Sequence, residues 1–225
     1  MANRPPFEIG EWYHCFNRGV EKRKVFENEY DANRFIMLLY LANGTKPIGL
    51  FNTYKPRVEK SFLVERGQAI VSIGAFCLMP NHFHLLLKEH TVGGISSFLK
   101  KVGTAYAMYF NARNKRVGNV FLRPFRSRHI ATDRYFQHVI QYIHLNPAEL
   151  YEPGWKQGVV KNMRSLHEKL AQYPYSSLAS YENKQPKHPV LSKEGFEIAD
   201  QIPLSRMLAD ARSYYEEVRT DRFER

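Results

Sequence analysis

The chain has 225 residues, of which 44% are hydrophobic and 14% aromatic, enough to fill one sizeable core and too apolar for a disordered chain. Its formal net charge of +11 points to polyanionic partners, nucleic acid ahead of anionic membrane. No apolar run reaches the ~18 residues of a spanning helix and the first residues lack a signal-peptide core, so a cytoplasmic, nucleoid-associated protein is expected, with no membrane partner.

Residues 11–18 (Glu-Trp-Tyr-His-Cys-Phe-Asn-Arg) predict a first strand, closed by Gly19. A helix is predicted from Asp31 to Leu41, with Phe35, Leu38, Leu39 and Ala42 on one face. Glu27, Glu29 and Asp31 lie at its start, where the helix dipole favours negative charge. Residues 43–67 show no clean period and read as a long connection or insertion. Ala69 to Met79 predicts a buried strand, Pro80-Asn81 a turn, and His82 to Lys88 the returning strand of an antiparallel hairpin. The two cysteines, Cys15 and Cys77, fall in these strands and read as buried apolar residues of a reducing compartment.

After Gly93-Gly94, the spacing of Ile95, Phe98, Leu99, Val102, Ala105, Tyr106 and Tyr109 predicts a long amphipathic helix ending near Asn114. Arg126 to Ile130 is the candidate fourth strand, and Thr132 or Asp133 caps a helix that runs to about Leu145 and stops before Pro147. Gly154-Trp155 and residues 173–177 read as ordered loops, residues 182–189 as a linker, and residues 192–200 and 204–218 as short helices. The expected class is therefore α+β, an antiparallel sheet with packed helices, organised as a domain over 1–181 and an extension over 182–225.

In the hairpin's second strand His82 and His84 project to one face, roughly 7 Å apart, while Phe83, Leu85 and Leu87 project to the other. Such a pair can converge on one metal ion, and it can equally serve packing. On a wheel of about 100° per residue, Tyr135, His138 and Asn146 lie within about 40° of Tyr142, while Phe136, Val139, Ile140 and Ile143 centre about 110° away. His144 falls about 160° from Tyr142 and is not counted with it. A phenol is a weak nucleophile at its ordinary pKa of ~10, yet against a phosphodiester it can leave a covalent phosphotyrosine. A divalent metal held by His82, His84 and the Asn146 amide would polarise the scissile phosphate. From Thr91 to Thr132 there is no Asp or Glu, while Lys100, Lys101, Arg113, Lys115, Arg116, Arg123, Arg126 and Arg128 all fall inside. These, with Phe121 and Phe125 as base-stacking rings, are the candidate DNA-binding residues.

Cys-Leu-Met-Pro-Asn-His-Phe-His-Leu-Leu-Leu (77–87), Gly-Asn-Val-Phe (118–121) with Phe125-Arg126-Ser127, Tyr-Ile-His-Leu-Asn-Pro (142–147) and Tyr-Pro-Tyr-Ser-Ser (173–177) occur in that order. With Trp12-Tyr13-His14 and Asn17-Arg18-Gly19, the set resembles the single-tyrosine transposases of the HUH endonuclease superfamily, most closely their REP-associated branch. The resemblance covers about residues 10–181 and implies a ferredoxin-like domain. It also implies cleavage of single-stranded DNA near a hairpin of a palindromic repeat element, assisted by Mg²⁺ or Mn²⁺, by a monomer or homodimer. By the same resemblance His82 and His84 are metal ligands, Asn146 the third protein ligand and Tyr142 the nucleophile that takes the 5′ phosphate. Two other readings use the same residues: a catalytically idle module that binds single-stranded nucleic acid, and a metal-dependent hydrolase acting through activated water with Tyr142 structural.

Overall fold

The computed structural model describes residues 6–47, 58–183 and 188–223, so parts of the expected connection and linker, 48–57 and 184–187, lie outside the described residues. Strands β1 (Trp12–Arg18), β2 (Val71–Met79), β3 (His82–Glu89) and β4 (Arg126–Ile130) form an antiparallel sheet in the order β2-β3-β1-β4. Helix α1 (Glu29–Leu41) and a short α2 (Val58–Ser61) lie between β1 and β2, and α3 (Gly94–Arg113) joins β3 to β4. With α2 set aside, this is the β-α-β-β-α-β order of a ferredoxin-like domain, the expected class. Among the described residues no helix is long and apolar enough to cross a membrane.

Strand alternation sorts side chains into two layers. On one face the Phe83 ring meets Phe35 at 4.9 Å and Phe121 at 5.3 Å, and Tyr106 and Phe26 complete an aromatic cluster under α1 and α3. The other face carries Trp12, His14 and Phe16 of β1 and His82 and His84 of β3, and helix α4 (Asp133–Leu145) lies across it. Its apolar stripe of Phe136, Val139, Ile140 and Ile143 is buried there, with the Phe136 ring 5.1 Å from Trp12.

Helix starts are fixed by side-chain oxygens that accept otherwise unpaired backbone N–H groups. Asn28 accepts from Asp31 N at 3.2 Å before α1, and Thr132 accepts from Tyr135 N at 3.2 Å before α4. Helix α3 begins on Gly93 and borrows its cap from β3: the buried Glu89 carboxylate accepts from Gly94 N at 3.0 Å and Ile95 N at 2.7 Å. Asp31, also buried, ties α1 to α3 by accepting from the Tyr109 hydroxyl at 2.9 Å and from the Arg113 guanidinium.

Beyond α4 come α5 (Ala148–Tyr151), a 3-10 turn (Trp155–Gln157), α6 (Met163–Ala171), α7 (Leu178–Glu182), α8 (Lys193–Ile198) and α9 (Leu204–Phe223). The pattern of the sequence assigns none of α5, α6 and α7. Leu145, Ala148, Trp155, Leu166, Leu170, Leu178, Leu204, Met207 and Leu208 form a second core under the end of α4, while Val190, Leu191 and Ala199 join the main one. The chain after α6 also runs along the free side of β2. Leu78 N donates to Tyr175 O (2.8 Å), Ser177 N to Phe76 O (2.9 Å), and Ser192 N to Ile73 O (2.9 Å). The Tyr173 and Tyr181 hydroxyls reach Leu78 O (2.6 Å) and Gly74 O (2.5 Å). Gly74 sits at a register shift of β2, and α8 approaches so closely that a Cβ on Gly195 would lie 2.5 Å from Gly74 Cα.

Two imidazoles lie away from the sheet's histidine face, one buried and one half-buried. His144 is 0% exposed with its Nε2 2.8 Å from Ser177 Oγ, and His188 packs against Phe62 and Phe76. Burial pushes His144 down to about 3 and His188 down to about 4. Both titrate near 6.5 when unfolded, so between about pH 6.5 and 4 the unfolded chain takes up protons that the folded chain refuses. Stability present above pH 6.5 should therefore fall as pH drops, by up to ~1.4 kcal/mol per pH unit for each group. Thermal unfolding followed from pH 7.5 to 4.5 checks this, and a midpoint that stays level across that range would contradict it.

Candidate active site

The histidine face of the sheet and α4 enclose a cleft of about 630 Å³, lined among others by His14, Phe16, His84, Arg128, Tyr142 and Asn146. Tyr135 and His138 of the predicted stripe line it too. Parity along β3 brings His82 and His84 to this side, with ring centroids 5.1 Å apart, and Tyr142 stands edge-on to His84 at 5.4 Å. Asn146, the residue that ends α4, is buried and holds its Oδ1 3.2 Å from His82 Nε2. The four residues that the sequence assigned to catalysis and metal ligation thus meet, two from the sheet and two from α4. Tyr142 remains 39% exposed, open to a substrate entering from solvent.

The imidazoles are held neutral. Burial lowers His82, and the positive charges of Arg18 and Lys156 push it further down, against the raising influence of Asn146 Oδ1, which would accept an N–H of the charged ring, and of Glu149. Burial lowers His84 well below the ordinary imidazole range, helped by His14, His82 and Lys156. Neutral imidazoles are the ligating form. His82 Nδ1 lies 2.7 Å from Asn81 Oδ1, so its single ring proton belongs on that side. Nε2 and Asn146 Oδ1 then face each other as two acceptors, an arrangement that a cation satisfies. Among the described residues no three His, Cys, Asp or Glu side chains group around a metal position. The donor set offered here is two imidazoles and one amide oxygen, which fits a divalent ion with further positions left for water or phosphate oxygens.

The candidate DNA-binding residues divide. Arg126 and Arg128 pair with Phe16 and His14 across β1–β4 and share the cleft face, and Arg128 lines the cleft. Lys115 and Arg123 are exposed on the connection from α3 to β4, and Arg116 is half-buried beside them. Lys100 and Lys101 lie on α3, in the layer on the far side of the sheet, and Lys101 Nζ donates to Gly44 O at 3.0 Å. The Arg113 guanidinium is occupied by Asp31. Phe121 requires correction: it is buried in the aromatic cluster with Phe26, Phe35, Phe83 and Tyr106, and cannot offer a face to a base. Phe125 is half-buried and stacks on Phe7 at 6.2 Å.

Three residues at the cleft were not singled out from the sequence. Lys156, in the 3-10 turn, lines it and pairs with Glu149. Asp210 of α9 lines it as well. His14 puts its Nε2 2.9 Å from His84 Nδ1 and its ring 5.7 Å from Tyr142. Strand parity could have found His14, which shares a face with Trp12 and Phe16. No comparable local signal marks Lys156 or Asp210.

Residues 11–146 match the family described as IS200-like transposases. Among solved structures, the chain is similar to that of a REP-associated tyrosine transposase bound to a REP hairpin, at 16% identity and a TM-score of 0.51, covering 84% of this chain and 89% of that one. That likeness speaks for the fold. No curated protein matches the chain significantly.

The occupied guanidinium of Arg113 gives a test that separates support of the fold from contact with DNA. Arg113→Met should cost about 2 kcal/mol of stability, because Asp31 stays buried with only Tyr109 left on that oxygen. Its effect on DNA affinity should be smaller than that of Arg128→Met, measured by denaturant unfolding and by filter binding on the same two variants.

Proposed function

We propose that this chain, which belongs to the family of IS200-like transposases, cuts and rejoins single-stranded DNA through a covalent link to Tyr142. The observation that carries this reading is the convergence of His84, Asn146 and Tyr142 in one cleft that Arg128 and Lys156 also line, with His82 beside Asn146 and His84. The substrate is taken to be a strand beside a hairpin of a palindromic element, as in the REP-associated branch. The motif set supports that choice, and so does the REP hairpin bound by the transposase of similar fold.

In the proposed reaction a strand lies in the cleft with its scissile phosphate between Tyr142 and the imidazole pair. Arg128 and Lys156 attract the phosphate oxygens, and their positive charge balances the charge that builds there as the bond order at phosphorus changes. The Tyr142 phenol oxygen attacks phosphorus, the bond from phosphorus to the 3′ oxygen breaks, and the phenol proton is made up on the departing 3′ oxygen through solvent. The products are a 5′ phosphate on Tyr142 and a free 3′-OH, and attack by a 3′-OH on that ester reverses the step, restoring the phenol. No external energy source enters, because one phosphate ester replaces another. A divalent ion such as Mg²⁺ or Mn²⁺, bound by His82, His84 and Asn146, would supply positive charge at the phosphate oxygens. Burial keeps both histidines neutral, and Asn146 adds an oxygen without adding negative charge.

The test is a denaturing gel of the full chain incubated with Mn²⁺ and a single strand carrying a palindromic hairpin. A covalent protein–DNA adduct is expected for the native chain and none for Tyr142→Phe. Cleaved DNA without an adduct would point instead to water as the nucleophile. His82→Ala should lose about 100-fold or more in cleavage, since even residues behind a metal ligand cost 10–100-fold. It should keep most of its DNA affinity, which falls by about 0.7 of a log unit per phosphate contact for each tenfold rise in salt on a single strand.

A further inference from the structure

The proposed chemistry leaves one buried group of the cleft without a task. His14 is 6% exposed, projects from the central strand β1, and is enclosed by His84, Phe16 and Tyr142, with ring centroids 5.1, 5.0 and 5.7 Å away. Its Nε2 lies 2.9 Å from His84 Nδ1, and the two rings are stacked at 29°.

A neutral imidazole carries one N–H, so one proton is shared across the 2.9 Å contact and only two arrangements exist. If His14 donates, His84 Nδ1 accepts, the His84 proton sits on Nε2, and that nitrogen cannot bind a cation. If His84 donates, its Nε2 keeps a lone pair available to a metal, and His14 carries its own proton on Nδ1. Ligation by His84 through Nε2 therefore requires His14 to be the acceptor.

We propose that His14 is a positioning residue: its Nε2 accepts the Nδ1–H of His84, which fixes the tautomer and the ring orientation that ligation needs. The proposal rests on the reading of His84 as a ligand. Ligating histidines commonly donate their second N–H to a carboxylate or a carbonyl. A neutral imidazole in that place orients the ligand equally well and adds no negative charge beside a site that must attract phosphate. It also explains why a polar ring is buried against two aromatic neighbours, where an aliphatic residue would pack without needing a partner. His14 touches the Tyr142 ring as well, so one side chain contacts both ligand and nucleophile.

Mn²⁺ binding by the full chain without DNA, followed by electron paramagnetic resonance, tests this with four proteins. The expected result is binding by the native chain, none by His84→Ala, and affinity 10–100-fold weaker in His14→Leu. His14→Gln, whose amide oxygen can accept the same proton, should stay within about threefold of native. Native-like Mn²⁺ affinity in His14→Leu, with binding lost in His84→Ala, overturns the proposal. If the native chain binds no Mn²⁺, the ligand reading of His84 fails instead. Nitrogen-15 NMR of the native imidazoles decides the hydrogen bond even where a variant does not fold. A His84 proton on Nδ1 is expected, and a His84 proton on Nε2 overturns the proposal.

Discussion

Every distance across the cleft depends on how α4 lies against the sheet. The contact is apolar on both sides: Phe136 on Trp12, with Val139, Ile140 and Ile143 buried beside it. Those residues recur at helical spacing, so the stripe that packs also fixes the rotation of the helix, and with it the direction of Tyr142 and Asn146. Polar contact contributes little to holding the two halves together, since His82 Nε2 and Asn146 Oδ1, 3.2 Å apart, face each other as two acceptors. Burial of four large side chains, at about 1.5–3 kcal/mol each, far exceeds it. The second core then anchors the far end of α4, where Leu145 and Ala148 flank the Asn146-Pro147 stop.

The electrostatics of the cleft follow from what burial does to unlike groups. Arg128 and Lys156 line it, while burial lowers the proton affinity of the imidazoles inside. On the proposed reading, a chain with a net charge of +11 offers Arg128 and Lys156 to a phosphodiester and neutral imidazoles to a cation. Had the imidazoles remained charged they would have added attraction for DNA and lost their use as ligands.

Local periodicity made much of this legible in the sequence. The period of two in β3 put His82 and His84 on one face, and the wheel of α4 separated Tyr142 and Asn146 from the apolar stripe and sent His144 to the far side. The C-terminal helices were harder, because α5 and α7 are only one turn long and α6 shows its pattern in just Leu166 and Leu170. Other features depend on partners far along the chain. The Asp31 partner of Arg113 lies 82 residues before it, and the rings that bury Phe121, read from the sequence as a base-stacking ring, come from β3, α1 and α3. His14 was within the motifs that carried the resemblance, yet its role needed the register of β1 against β3, which no single strand specifies.

The row of bonds that the C-terminal segment makes to β2 has a further physical consequence. An open strand edge is a template on which another chain can pair, and here that template is occupied from Ile73 to Leu78 by the protein's own backbone, tyrosines and serines. A second copy cannot extend the sheet past β2 without first stripping that segment away. The opposite edge, β4, is five residues long and carries Arg126 and Arg128, so two such edges would bring like charges together. The sheet is sealed on one side and electrostatically guarded on the other. Backbone pairing with a second chain is thus disfavoured at either edge of the sheet.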